Sequence, residues 1–564
     1  MKFYRFIHMG ETFDTVIRGG TVIDGTGAPG RRTDVGVRGD CIAAVGDLAA
    51  ASATQVVDVD GLVVCPGFID AHSHSDAFLL IEPDAPSKVS QGVTTEVVGQ
   101  CGASAAPLFG QGRMPSDWAA QVYTKFRIQN SEFRIQKDGT PSTLHPPPST
   151  APCATWSTMA EYRQLFEQVR PAVNAVLLIG HNTLRAGVMG YEPRAATADE
   201  VRAMQRHLAQ ALDEGGSGLS TGLIYQPGCH SSPEEVLALA QTTVSHGGFY
   251  ATHMRSEGDK LLEALDEVLQ LGRVSGIRLQ ISHLKTSHAQ NWGKLDVLIE
   301  RIETVQRQGM HVHADRYPYV AGGTDLDVVL PDWAADGGRA AILARLADPA
   351  ACARIVAELD DSRPRDAWAG VMIGGTLHPD LHALRGQTIA AIADARGSTP
   401  GASILWILQR DQLRTGAFFF GLSEANLRRI YAQPWVMVGS DASIRALQGP
   451  LAADHPHPRA YGTFPRFLRM VQDEGLMPLP EAIRRLTSLP AEAFGLRGRG
   501  RIAPGAFADL AVFDPVTIRD CATFAVPHAF SSGVRQVWVN GCCCYNHGRF
   551  TGDRGGRVLQ CRQL

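Results

Sequence analysis

The side chains best suited to chemistry recur at one kind of position. A His-Ser-His triplet, His72 to His74, closes the apolar run 67–72. Cys101 follows the run 94–99, and His253, His283 and Asp441 end the runs 248–253, 277–283 and 434–441. The i, i+2 spacing of His72 and His74 puts both imidazoles on one face of an extended segment. Taken singly, each residue has a plainer reading. A strand-end histidine is usually a hydrogen-bonded core or loop residue, an Asp after Gly-Ser caps a helix, and a lone cysteine is a small buried side chain. Taken together, imidazole, thiolate and carboxylate groups at the same end of successive strands make a ligand set suited to Zn2+. Independent structural residues have no reason to share one strand end, so the joint placement argues for a metal site.

The elements that must position these groups alternate in type. Eight strand candidates, at 67–72, 94–99, 175–180, 218–224, 248–253, 277–283, 311–315 and 434–441, are separated by amphipathic helical patterns. Thr197 and Glu200 form a capping box ahead of Val201, Met204, Leu208 and Leu212. Ser232, Pro233 and Glu235 give an N-cap, a first-turn proline and the matching acid. Eight such repeats predict an α/β fold, a (β/α)8 TIM-like barrel whose active site lies at the C-terminal ends of its strands. Short alternating strands with Gly-rich turns occupy 13–45 and return at 508–513 and 534–540, so both chain ends are expected to build one small β-sandwich. The domains predicted are 1–65 and 496–564 for the sandwich and 66–495 for the barrel. Two insertions interrupt the barrel. One, at about 111–152, holds the near-repeat Phe126-Arg-Ile-Gln129 and Phe133-Arg-Ile-Gln136. The other, at about 320–420, carries helical patterns such as Arg339 to Leu346, and is read as a lid over the barrel mouth or a peripheral helical decoration.

Composition narrows the function classes. In 564 residues, 44% are hydrophobic and 20% charged, with a net charge of −4, which gives no basic excess for nucleic acid or an anionic membrane. No apolar stretch suffices to span a bilayer, and the first residues are broken by charge before an apolar run develops. A cytoplasmic location and a small-molecule partner are therefore expected. The 11 cysteines are scattered and read as reduced thiols. Cys542, Cys543 and Cys544 alternate across a strand and chelate poorly.

Several stretches also carry a resemblance: PGFIDAHSHSD (66–76), GVTTE (92–96), GQCG (99–102), GHNTLR (180–185), GLSTGLIYQPG (218–228), THMRSE (252–257), SHLK (282–285), GSD (439–441) and HPHPRAYGTFPR (455–466). In these the chain resembles the metal-dependent amidohydrolase superfamily and, within it, the N-acyl-D-amino-acid deacylases, or D-aminoacylases. The first stretch is general to the superfamily; the cysteine after strand two and the last block are more specific. The resemblance implies zinc-dependent hydrolysis of N-acyl-D-amino acids to a carboxylic acid and a free D-amino acid. It implies that Cys101, His253 and His283 hold a tightly bound zinc, with His72, His74 and Asp441 forming a weaker second metal site. Asp441 would act as general base and acid, and Lys285, Tyr317 and Arg459 would bind the substrate carboxylate. The chemistry of these residues agrees in part. Lys285 lies two residues beyond His283 and shares its mouth, and an arginine suits a carboxylate; on its own chemistry Tyr317 reads as a core aromatic. The chain departs from the family pattern in the 111–152 insertion and in the length of the segment between Asp441 and Arg459. Two other readings stand beside this one: a cyclic-amide hydrolase of the hydantoinase type, and a non-catalytic scaffold on the same barrel.

Overall fold

The computed structural model describes residues 12–112 and 156–561. Its centre is a run of eight parallel strands paired in chain order: Phe68–Asp70, Val93–Val98, Asn174–Gly180, Gly218–Gly222, Phe249–His253, Arg278–Ile281, Val312–Arg316 and Val436–Val438, here barrel strands 1 to 8. Strands 2, 3, 4 and 5 are buried along their whole length, as expected where a parallel sheet is covered on both faces. The circle closes sparsely between strands 1 and 8. There Ala71 N–H donates to Val438 O (3.2 Å), Asp441 N–H to His72 O (2.9 Å), and Ser73 bridges to Ala442.

The helices begin where their caps predict. Thr197 accepts from Glu200 N–H, and the Glu200 side chain reaches back to the Thr197 N–H, opening Ala198–Asp213; Met204, Leu208, Ala211 and Leu212 form its buried face. Ser232 caps Pro233–Ser245.

Both ends of the chain contribute to a pair of sheets. A four-stranded sheet comes from residues 12–58. A seven-stranded sheet joins Val63–Pro66 antiparallel to Leu510–Phe513, with Cys65 opposite Ala511. Ile17, Val35, Val37, Ile42, Val64, Leu510, Val512 and Trp538 share the core between them. The last strand, Val558–Leu559, does not join these sheets. It pairs with Ala175 and Val176 of barrel strand 3, below the point where strand 4 begins to pair at Leu178 and leaves that edge free.

The excursion between strands 7 and 8 is more than helical decoration. Ala321–Asp325, Gly416–Phe420 and Val371–Ile373 form an antiparallel sheet, packed with helices such as Gly338–Ala347, Pro349–Ser362 and Pro400–Arg410. Leu326, Ile342, Ile355, Trp368, Ile373 and Leu408 give it a separate core. The insertion expected at about 111–152, with its near-repeat, lies outside the described residues beyond residue 112. In the Cys542–Asn546 strand, Cys542 is exposed, Cys543 half-buried and Cys544 buried, and among the described residues the three do not form a metal-capable group. Among the described residues no helix is long and apolar enough to cross a membrane.

Candidate metal centre

Every ligand-type residue singled out in the sequence stands at or just past the C-terminal end of its barrel strand. Cys101, His283 and Asp441 sit in the left-handed backbone region, at φ 53°, 37° and 50°. Non-glycine residues seldom adopt that conformation. Its recurrence at three strand ends is strain of the kind held at functional sites, where the surrounding structure over-determines the backbone. Close approach of the strand ends requires glycine nearby. A Cβ at Gly439 would lie 2.6 Å from the His72 Cβ.

The side chains converge. Cys101 Sγ lies 3.4 Å from His72 Nε2 and 3.5 Å from His283 Nε2. Asp441 Oδ1 lies 3.3 Å from His72 Nε2 and 3.1 Å from His74 Nε2. Ligand atoms of His72, Cys101, His283 and Asp441 all fall within 4.8 Å of one another, and so do those of His253, Glu257 and His283. The His253 and His283 rings meet edge to face at 4.4 Å. Both ring nitrogens of His253 are buried and make no hydrogen bond to any described residue. Glu257 Oε2 stands 3.7 Å from Nε2, beyond hydrogen-bond distance; burying such groups without hydrogen bonds is costly, and a coordinated cation would satisfy one of them. Thiolate, imidazole and carboxylate donors at this spacing fit zinc.

A further layer of groups orients the ligands. Asp315, fully buried, lies 3.2 Å from His72 Nδ1, accepts from His283 N–H at 3.0 Å and from Gln280 Nε2 at 2.6 Å. Glu257 Oε1 lies 2.8 Å from His283 Nδ1 and accepts from Lys285 Nζ at 2.5 Å. A carboxylate behind a ligating imidazole fixes its tautomer and raises its basicity. Neither acid was singled out from the sequence. Asp315 ends its strand as the ligands do, so the strand-end rule could have found it. Glu257 lies four residues past His253 in the loop after strand 5, and only its fold-back toward His283 reveals its role.

The local field is strong. Burial pushes the Cys101 thiol up, but His72 and His283 outweigh it and hold it well below its ordinary range. Burial also pushes Asp441 up, and Arg459, His283 and His72 reverse this, holding it well below the usual carboxylate range. Burial lowers His283 and Lys285 lowers it further, yet Glu257, Asp441 and Cys101 bring it to about 9. The cluster therefore pairs anionic donors with imidazoles that carry protons, and an arriving cation would displace those protons.

The residues expected to bind a carboxylate surround the same mouth. Lys285 is held by Glu257. Arg459 Nη1 donates to Asp441 Oδ2 at 2.7 Å and Nη2 to Gly323 O at 3.1 Å, which ties the barrel to the first strand of the 321–420 excursion. The Arg459 Nε is buried without a partner. Tyr317 is fully buried, with the guanidinium carbons of Arg316 and Arg459 4.1 and 4.7 Å from its ring centre, and its hydroxyl makes no hydrogen bond to a described residue. Burial pushes the Tyr317 phenol up, but Lys285, Arg316 and Arg459 together hold it below its ordinary value.

Comparison with known proteins agrees with this geometry. Residues 55–545 match the model of the amidohydrolase family. The chain is 37% identical to a D-aminoacylase of Alcaligenes xylosoxydans xylosoxydans, over 97% of this chain and 98% of that one. It is 36% identical to an N-acyl-D-glutamate deacylase of the same organism, over 98% and 97%. The crystal structure of N-acyl-D-glutamate deacylase from Bordetella bronchiseptica, complexed with zinc and a phosphonate mimic of the tetrahedral intermediate, superposes with a TM-score of 0.79 at 34% identity, covering 98% of this chain and all of that one. Fold, ligand chemistry and kinship along nearly the whole length lead to one assignment: the chain belongs to the amidohydrolase family.

Proposed function

We propose that this protein hydrolyses the amide bond of N-acyl-D-amino acids, releasing a carboxylic acid and a free D-amino acid, with zinc as cofactor. The observation that carries the reading is 37% and 36% identity, along nearly the whole chain, to a D-aminoacylase and an N-acyl-D-glutamate deacylase. The cluster at the barrel mouth supplies a physical route to that chemistry.

Cys101, His253 and His283 are assigned to a tightly bound ion, and His72, His74 and Asp441 to a weaker site beside it. When bound, zinc would lower the pKa of a bound water toward about 7 and polarise a carbonyl. Lys285 and Arg459 take the substrate carboxylate by charge-assisted hydrogen bonds, and Tyr317 backs the Arg459 guanidinium. This anchors the amino-acid half and leaves the acyl carbon over the ligand cluster. Asp441 receives the proton of the attacking water and delivers it to the departing nitrogen. With the weaker site empty, His74, its Nε2 3.1 Å from Asp441, is free to donate to the acyl oxygen as that oxygen gains charge.

The test is a substrate panel with the zinc-reconstituted protein: N-acetyl-D-Met, N-acetyl-D-Glu and N-acetyl-D-Asp, their L forms, and hydantoins. Turnover of at least one D form with little of its L form is expected. Turnover of hydantoins without any N-acetyl-D-amino acid would overturn the assignment in favour of a cyclic-amide hydrolase.

A further inference from the structure

The metal ligands are not equally supported by the barrel. His253 ends strand 5, and Cys101 and His283 follow strands 2 and 6, all strands inside the continuous ladder. His72 and His74 follow strand 1, and Asp441 follows strand 8, so this half of the cluster straddles the junction where backbone pairing is sparse.

A buried ammonium occupies that junction. Lys88, in the short helix Pro86–Val89, is fully enclosed. The three N–H donors of its Nζ are shared among Asp70 Oδ2 (2.7 Å), Ser440 Oγ (2.8 Å), Ala442 O (2.9 Å) and Ser73 Oγ (3.2 Å), and Nζ lies 3.2 Å from Glu96 Oε2. Ser73 stands between His72 and His74; Ser440 and Ala442 flank Asp441. Asp70 extends the grip, its Oδ1 accepting from the backbone N–H of His72 (3.2 Å) and of Ser440 (2.8 Å). Ser73 Oγ also donates to Glu96 Oε2 at 2.5 Å. Lys88, Asp70 of strand 1 and Ser73 just past it thus bind the segment after strand 8 where the ladder does not, and Glu96 of strand 2 braces Lys88 and Ser73. An ammonium suits the task, since its donors can point to several acceptors around one buried point.

We propose that Lys88 is a positioning residue that clasps the junction of strands 1 and 8 and so fixes His72 and His74 against Asp441. The proposal rests on the ligand assignment made above for that half-site. A clasp of this kind acts on the weaker metal and on proton transfer through Asp441. The tightly bound ion, and the substrate grip of Lys285 in the loop after strand 6, do not depend on it.

The test compares wild type with Lys88→Met, with Lys88→Met/Glu96→Gln, which spares one stranded carboxylate if the single variant fails to fold, and with Ser440→Ala, which removes one arm and no charge. Metal affinity is read by chelator competition with Zn2+ and Co2+, alongside kcat, KM and melting temperature. Expected is a fall of about 10- to 100-fold in weak-site affinity and in kcat, with tight-zinc stoichiometry kept and KM within about twofold; Ser440→Ala shifts the same way by less. A lower melting temperature with weak-site affinity and kcat per zinc-loaded molecule unchanged would overturn the proposal and leave Lys88 a purely structural residue. If the wild type cleaves no N-acyl-D-amino acid, the functional reading fails separately, and the metal titration decides: a selective loss at the weak site supports the clasp, and no loss overturns it.

Discussion

Replacing Arg459 by Met removes the guanidinium that we assign to the substrate carboxylate, and the structure bounds the effect. In the free enzyme Nη1 already serves Asp441 and Nη2 already serves Gly323 O. Only Nε is buried and unpartnered, so the incoming carboxylate gains about one new bond from this side chain. A hydrogen bond to a charged group contributes about 1.5–3 kcal/mol, which corresponds to a loss of roughly 10- to 150-fold in kcat/KM. A second consequence has a fixed sign. Burial pushes the Asp441 carboxyl up, and Arg459 is the largest of the groups that pull it down. Without Arg459 its pKa rises, so the acidic limb of the pH–rate profile moves to higher pH. The assay is kcat/KM across pH for an N-acyl-D-amino acid and for an N-acyl amine of the same size that lacks the carboxylate. The variant should lose its factor only with the carboxylate-bearing substrate. An equal loss with both substrates would refute the carboxylate role, and so would no loss with either.

Three further outcomes are expected. Asp441→Asn lowers kcat by about 100- to 10,000-fold, the range of general acid–base catalysis, while metal analysis still finds the tight zinc. Cys101→Ala loses that zinc together with activity, and added Zn2+ at stoichiometric concentration does not restore it. His313, on barrel strand 7, is brought down to about 4 by burial and by the nearby charges of His311, Arg484 and Arg278. A depressed histidine binds its proton later in the folded state than in the unfolded one. Stability is therefore intact above pH 6.5 and declines as pH falls toward 4, by up to about 3 kcal/mol. His313→Asn flattens that slope in denaturant titrations at pH 4 to 7; an unchanged slope would show that His313 does not drive it.

The strand ends were the most legible part of the chain. His72, His74, Cys101, His253, His283 and Asp441 occupy one position in the βα repeat, and a repeat is a local pattern. The cap at Thr197 was legible for the same reason, because its partner Glu200 lies one turn away. Lys88 was not, since its acceptors on Ser440 and Ala442 lie 352 and 354 residues further along the chain and nothing around residue 88 announces them. The 321–420 excursion showed its helices, whose period is local. Its strands are short, and Ala321–Asp325 pairs with Gly416–Phe420 across the length of the insertion, so no nearby turn revealed the sheet. Val558–Leu559 gave no sign that it would leave the terminal sheets, because the free edge it fills is created by an offset between strands 3 and 4.

The pairing of Val63–Pro66 with Leu510–Phe513 sets a timetable for biosynthesis. Cys65 and Ala511, joined across that ladder, are 446 residues apart. At about 5–20 residues per second a ribosome needs roughly 20 to 90 s to cover the distance. During that interval an apolar strand waits on the nascent chain with a vacant side, open to pairing with a neighbouring copy on the same polysome. Yield on overexpression should thus depend on how well that early segment is shielded until the later one emerges, more than on the stability of the finished enzyme.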